Sequence, residues 1–365
     1  MKIEVLIYAY LAICAAMILF NIACVFVFRR RDKKLVSYSE TFIEQVNRQI
    51  ELPEIDSNHR KYLSEKLGKV NNLMAFDETL EKLYAENPEK IRNYIGSLAP
   101  VFIYLILEYK RKNKLKVAYL LYLIKKYEIF RGQKSVVIAD VILEAVQDPS
   151  LYCRENALQA LYSIGNVEFV IKALMALDEG PYYHNAKLIT DGLLTFSGEK
   201  EKLDEYLWKT LPRFTTEMQV AILNYFRFSS GQHCEAMMKL LTTPQQNDEI
   251  CYSCIRYFGK YHYEPALQYL LNFVRGENEI NWEYAAISAT SLSAYPSEQT
   301  VEVLKGALSS RNWYVRYNAA QSLGALGLDY TDLIDIFEGD DRYAEEMLRY
   351  RFDQNKLKET GVNGK

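Results

Sequence analysis

Two stretches, RENALQALYSIG from Arg154 to Gly165 and RYNAAQSLGALG from Arg316 to Gly327, decide how this chain folds. Arg, Asn, Ala, Gln, Leu and Gly recur in register between them. A third copy opens with Asn281-Trp282-Glu283-Tyr284, like Asn312-Trp313-Tyr314-Val315 a capping residue followed by Trp. It continues through Ser288, Ala289 and Leu292 opposite Ala319, Ala320 and Leu323. Carried backward, the register places Cys254, Ile255 and Phe258, then Ala221, Ile222 and Tyr225, in the same slots. The steps between the small-residue slots are 31, 34 and 33 residues, and the 64 residues from Ala157 to Ala221 leave room for one more unit near Leu188. Six units in series at such a period describe a helical repeat protein.

The pattern has a physical basis. A small residue lets the neighbouring helix approach, and the aliphatic or aromatic residue one turn later fills the groove between layers. Ser150, Asn281 and Asn312 stand where an N-cap is needed, Gly165 and Gly327 where a helix must end. No single helix pair could bury its apolar face alone.

The run from Cys153 to Gly165 and from Val315 to Gly327 resembles the HEAT family in the short-repeat form common in bacterial proteins. Trp282 to Tyr295 is a looser match, and the likeness extends over residues 98 to 350. Ala285 replaces the helix Arg in the third unit and Cys251 in the fourth, so the family's ladder of turn Asp and helix Arg is reduced to Asp148 with Arg154. The resemblance implies an all-α fold, an elongated right-handed superhelix whose concave face of second helices grips protein or peptide, and it implies that catalysis is unusual.

Upstream, Val5 to Phe28 reads VLIYAYLAICAAMILFNIACVFVF, with Asn21 its one strongly polar residue. About 20 such residues suffice to cross a hydrocarbon core, and a helix satisfies every backbone group there. Arg29, Arg30, Arg31, Lys33 and Lys34 follow directly, so the positive-inside bias puts the carboxyl-terminal bulk in the cytoplasm and the amino terminus outside. A cleaved signal peptide competes, but its apolar core would be shorter and its charges would come first. Lipidation at Cys24 is a minor alternative, because Asn21 fits poorly in such a site and the apolar run continues past Cys24. The expected organisation is an N-terminal transmembrane anchor with its basic flank over residues 1–34, a juxtamembrane helical region over 35–97, the α-solenoid over 98–350, and a tail over 351–365. In the juxtamembrane region a helix is expected from Leu35 to Glu51, then two short ones from Asp56 to Asn87 with Ser57 or Asn58 and Asp77 as caps or turn residues. Pro88 to Arg131 reads as two apolar helices divided by the basic turn Lys110 to Lys114, and the apolar run Leu98 to Leu107 is too short to span a membrane.

A chain of 365 residues with 49% hydrophobic and 25% charged residues buries a large core, and its net charge of −3 supplies no overall drive toward nucleic acid. The six cysteines do not form the dense frame of a small secreted domain. Cys251-Tyr252-Ser253-Cys254 is the one Cys-x-x-Cys, with His233, Cys234 and His262 nearby in sequence, yet Cys254 fills a small-residue slot on a continuous helix, so core packing outweighs zinc. The histidines His59, His184, His233 and His262 sit in no ligating frame, and no phosphate loop or nucleophile elbow occurs. Glu338-Gly339-Asp340-Asp341 is most simply a loop. Lys110 to Lys116 with Lys125, Lys126, Arg131 and Lys134 form the one basic region that could meet phosphate or lipid, with solvated helix ends the simpler reading.

The 29 tyrosines suit a protein-binding groove, among them Tyr252, Tyr257, Tyr284, Tyr314 and Tyr317, with packing between repeats an equal alternative. The expected function is therefore a membrane-anchored, non-catalytic scaffold or adaptor that binds a protein partner, a membrane enzyme complex being one such partner. No cofactor, metal, catalytic residue or nucleic-acid ligand is assigned, and the partner-binding residues are not fixed by sequence. A HEAT-like enzyme such as a DNA glycosylase or bilin lyase is the main alternative, and a self-associating structural homo-oligomer is the third.

Overall fold

The computed structural model describes residues 3–52, 54–110, 114–132, 136–276 and 281–359; within its helices the side chains of 3–7, 9, 27, 28, 31, 32, 34, 136, 352 and 354–359 lie outside the description. Among the described residues every regular element is a helix. The fold is all-α, with helices packed in pairs as the HEAT resemblance implies. The chain divides into two compact units, Met1–Tyr183 with Thr195–Leu203, and His184–Leu194 with Asp204–Lys365.

The first unit starts with α1 (Ile3–Ile50), a single helix of 48 residues. The helix runs unbroken through residue 34, where the anchor region was expected to give way to the juxtamembrane helix, because no Gly or Pro interrupts the backbone ladder before Pro53. The two ends of α1 differ in what they touch. Ser39, Phe42 and Val46 form a buried stripe, with the Phe42 ring edge-on to Phe76 at 5.4 Å and the Ser39 and Thr79 hydroxyls 3.2 Å apart. Toward the start, Tyr10, Leu11, Ile13, Met17, Phe20 and Phe26 are exposed. Among the described residues no helix is long and apolar enough to cross a membrane. Part of the run expected to span, 5–7, 9, 27 and 28, lies outside the described side chains.

Then come α2 (Ser57–Lys66), α3 (Val70–Glu86), α4 (Pro88–Ser97), α5 (Ala99–Lys110), α6 (Lys114–Lys126), α7 (Val136–Val146), α8 (Leu151–Ile164) and α9 (Val167–Asp178). The cap of α2 is Asp56, not Ser57 or Asn58, and Asp77 lies inside α3. Pro88 to Arg131 holds three helices instead of two. Leu98 closes α4 by donating to the Ile95 carbonyl and opens α5 by accepting from Val101, and Pro100 has no N–H with which to extend α4. From α5 onward each helix packs on its neighbour but one: α5 on α7, α6 on α8, α7 on α9. Gly165 ends α8 at φ +75° as expected, and it meets the backbone of Gly198 as well: a Cβ on Gly198 would stand 2.2 Å from the Gly165 carbonyl oxygen.

The second unit contains α10 (Ala186–Leu194), most of α11 (Lys200–Thr210), α12 (Thr216–Ser229), α13 (Cys234–Leu241), α14 (Asp248–Phe258), α15 (Leu267–Arg275), α16 (Trp282–Ser291), α17 (Glu298–Ala307), α18 (Trp313–Ala325), α19 (Ile334–Phe337) and α20 (Arg342–Glu359). Helices α10, α12, α14, α16, α18 and α20 stack each on the next, and α13, α15 and α17 pack against α14, α16 and α18. The small-residue slots Ala221, Cys254, Ser288 and Ala319 are fully buried between these layers. The close approach they permit is used by polar rungs. Thr190 donates to the Ala221 carbonyl at 2.8 Å, Ser291 to Ile255 at 3.0 Å, Asn318 to Ala286 at 2.8 Å and Ser322 to Ala289 at 2.7 Å.

The expected Asp148–Arg154 ladder is replaced by another contact. Arg154 donates from Nη1 to the main-chain carbonyls of Asp148 (2.8 Å) and Pro149 (2.9 Å), and Arg316 does the same to Ser310 (2.6 Å) and Arg311 (3.2 Å), so the repeat Arg ties down its own preceding turn. The Asp148 carboxylate is taken instead by Lys114 at 2.9 Å and the Ser150 amide at 2.9 Å. Of the three expected caps, the Asn312 side chain closes its helix, accepting from Tyr314 N at 2.8 Å, whereas Ser150 and Asn281 hold the cap position without that bond.

Two glycine substitutions should have opposite signs. Gly198→Ala forces its Cβ into the Gly165 backbone and should cost on the order of 1–3 kcal/mol. Gly96→Ala in α4 meets nothing within 4 Å and should be neutral or stabilising by up to about 1 kcal/mol. Denaturant unfolding followed by circular dichroism compares them directly.

Candidate partner-binding surface

The aromatic residues of α16, α18 and α20 form a ridge in the second unit. Its geometry starts at the helix caps. Asn312 fixes the first turn of α18, so Trp313 and Tyr314 are held outside the layer that buries Val315 and Ala319. Asn281 donates to Asp248 Oδ2 at 2.9 Å and the Tyr284 hydroxyl to Oδ1 at 2.8 Å, which ties the start of α16 to that of α14. Trp282 then stacks on Tyr314 across the repeat boundary (centroids 5.4 Å, 16°), Trp313 stacks on Tyr317 (4.9 Å, 17°), and Trp313 meets Tyr314 edge to face. Arg351 lies over the Tyr317 ring at 5.5 Å and Arg316 over Tyr343 at 5.7 Å.

The stacked rings are still open to solvent, with Trp282 38% exposed, Trp313 49% and Tyr314 56%, and Tyr343 beneath Arg316 is 72% exposed. Their mutual stacking holds few-rotamer side chains in place, so little entropy is lost when a second surface covers them. Each offers an apolar face with a donor at its edge. Trp, Tyr and Arg are also the residue types that carry most binding energy in protein interfaces.

The tyrosines marked in the sequence separate clearly. Tyr314 is on the ridge and Tyr317 is half-buried beneath Trp313. Tyr252 is buried edge-on to Tyr284. Tyr257 is wholly buried, where its hydroxyl accepts from His233 N at 3.0 Å and donates to the Ser230 carbonyl at 2.9 Å. Burial pushes the phenols of Tyr257 and Tyr284 up. Trp282 and Trp313 marked the repeat register in sequence but not the surface; their place directly after a cap and ahead of the buried slots was the available signal.

The basic region does not form one free patch. Lys110 pairs with Glu144, Lys114 with Asp148, Lys126 with Asp77 (2.6 Å) and Glu81 (2.7 Å), and Arg131 with Glu128 (2.7 Å). Lys116 lies over the Tyr109 ring at 5.5 Å, while Lys134 and residues 111–113 fall outside the described residues.

The Cys and His residues go to separate contacts. Cys251 and Cys254 are buried on α14, and desolvation pushes both thiols up. His262 faces the Ala294 carbonyl and Glu264. His184 is buried. His233 accepts at Nδ1 from Trp208 Nε1 (3.0 Å), which leaves Nε2 to donate to Asp204 (3.2 Å), whose other oxygen accepts from Tyr225 (2.8 Å). Both ring nitrogens are thus committed in one neutral tautomer, an arrangement that holds α11, α12 and α13 together. Among the described residues no group of three His, Cys, Asp or Glu comes together as a metal site. Glu338 and Gly339 follow α19 directly, and Asp341 opens α20 by accepting from Tyr343 N and Ala344 N.

No family model matches the chain, and no curated protein matches it. Among solved structures it is similar to human deoxyhypusine hydroxylase in complex with glycerol, at 15% identity over 82% of this chain and 96% of that one, with a TM-score of 0.27. A score that low assigns neither fold detail nor activity to this chain.

His59 provides a pH test of the first unit. Its Nε2 is 2.8 Å from the Tyr94 hydroxyl, and burial lowers the imidazole below its ordinary value of 6.5 while raising the Tyr94 phenol. Tyr94 therefore donates to a neutral ring. As pH falls below 6.5 the unfolded chain takes up a proton that the folded one resists, so stability should fall through that window and level off once the folded group also titrates. Melting temperature against pH should lose this slope in His59→Phe.

Proposed function

We propose that this protein is a membrane-anchored, non-catalytic scaffold that holds a protein partner against the aromatic ridge of its second unit. The observation that carries the reading is the pair of stacks Trp282–Tyr314 and Trp313–Tyr317, preorganised and exposed with arginines at their flank. An exposed ridge of this composition has the character of an interface core. The anchor is supported by the first half of α1, whose described apolar side chains from Tyr10 to Phe26 are exposed around the helix, followed by exposed Arg29, Arg30 and Lys33. Lipid would cover the first group and its cytoplasmic interface would hold the second.

The test is a crosslinking pull-down of the full-length protein from its native membrane, beside a version lacking residues 1–28 and the double variant Trp282→Ala/Trp313→Ala. Loss of two anchors should weaken capture of a stoichiometric partner at least about tenfold, and that partner, once purified, should bind the full-length protein and not the double variant in a two-component titration. Capture indifferent to the ridge would remove the proposed surface. Self-crosslinks alone would replace the scaffold by a structural oligomer.

A further inference from the structure

The first unit carries a groove of 820 Å³ where α3, α4 and the turn after α6 meet. Three features distinguish it from an accidental gap between helices. The first is its wall of charge. Lys126 and Arg131 are already paired with acids, but Arg92 makes no ion pair among the described residues and donates instead to the Tyr84 hydroxyl at 3.0 Å; Lys125 likewise has no acidic partner there. Because Tyr84 accepts from Arg92, its own O–H remains to donate outward. Arg92, Lys125 and Tyr84 therefore offer three donors and two positive charges to one space.

The second feature is rigidity. Tyr127 is tied to Asp77 at 2.6 Å, Ile129 and Phe130 are buried, and Gly132 donates to the Ile164 carbonyl at 3.0 Å, so the turn is fixed on both sides of the groove lip. Within it Glu128 is held at φ +49°, a left-handed conformation that a residue with a Cβ adopts at a cost. The Glu128 carboxylate pairs with Arg131 at 2.7 Å, and its charge also reaches Arg92 without an ion-pair contact. The third feature is the floor. The nearly enclosed side chains of Ile95 and Ile129 line its base, and Gly96, inside α4, leaves open space where a Cβ would point.

We propose that this groove binds a phosphate monoester with an apolar substituent: the dianion on Arg92, Lys125 and the Tyr84 hydroxyl, the apolar part over Ile95 and Gly96. Two charges and three donors fit a tetrahedral dianion better than a carboxylate, which offers one charge and two oxygens. A soluble alkyl phosphate and the head group of phosphatidic acid share this chemistry. The site is independent of the ridge in the second unit and does not require the partner reading.

Hydrogen exchange of the full-length protein in phosphatidylcholine nanodiscs tests it, with hexyl phosphate added in one arm and phosphatidic acid mixed into the disc in the other. Slower exchange in the segments around Tyr84, Gly96 and residues 125–132 is expected in at least one arm, and the arm identifies the source. Arg92→Gln/Lys125→Gln should weaken the effect about tenfold or more, and Gly96→Leu should abolish it by filling the floor. Neither substitution removes a buried contact, so without phosphate the melting temperature of Arg92→Gln/Lys125→Gln should match the parent and that of Gly96→Leu should match or exceed it. Unchanged exchange in both arms, or protection that survives in both variants, would overturn the site.

Discussion

Everything regular in the second unit depends on how closely α12, α14, α16 and α18 approach one another. Ala221, Cys254, Ser288 and Ala319 set that distance because they are small and wholly enclosed. A larger side chain there would separate the backbones and put the carbonyls of Ala221, Ile255, Ala286 and Ala289 beyond the reach of Thr190, Ser291, Asn318 and Ser322. The apolar contact and the polar rung thus depend on the same spacing. Since helix carbonyls already accept from their own ladder, these rungs add a second bond to each acceptor instead of leaving a buried group unsatisfied.

The buried polar chemistry is committed in the same way. Tyr257 accepts and donates at once, Asp204 serves both Tyr225 and His233, and Asp77 is shared by Lys126, Tyr119 and Tyr127. Burial first, and the adjacent Asp204 carboxylate next, push the Tyr225 phenol up; burial and Asp77 do the same to Tyr119 and Tyr127. Such phenols stay protonated and act as fixed donors. Among the described residues the Tyr162 hydroxyl and the Ser288 hydroxyl are buried exceptions without a partner, while the stacked rings of α16 and α18 and the Arg92–Tyr84 pair of the first unit lie on the outside.

The repeat was legible because its spacing follows from packing: Arg154 and Arg316, Ala157 and Ala319, Gly165 and Gly327 announce the same local geometry in both places. What a side chain touches was less so. The family resemblance implies that Arg154 meets the Asp148 carboxylate, but it reaches the main-chain carbonyl of Asp148, six residues earlier, and only the fold of the intervening turn decides between the two. The tyrosines were ambiguous for a related reason. Tyr257 and Tyr314 have the same composition value, and their positions relative to the slot, one on the layer side and one a residue after the cap's first turn begins, determine which is core and which is surface. The groove of the first unit was out of reach, since it joins Tyr84, Arg92 and Lys125 from three helices whose contacts no periodicity in this region encodes.

The unbroken run of α1 from Ile3 to Ile50, with Ser39, Phe42 and Val46 fastened to α3, makes it a torsion rod. A flexible tether would fix how far the first unit can stray from whatever surrounds the apolar half; a rod also fixes which way it faces. Adding one residue between Arg29 and Tyr38 would turn everything beyond it by about 100° and advance it by about 1.5 Å, and only an insertion of about seven residues, two turns, would bring it back to nearly the same heading. The heading of the first unit is therefore written in the number of residues along α1, independently of what those residues are.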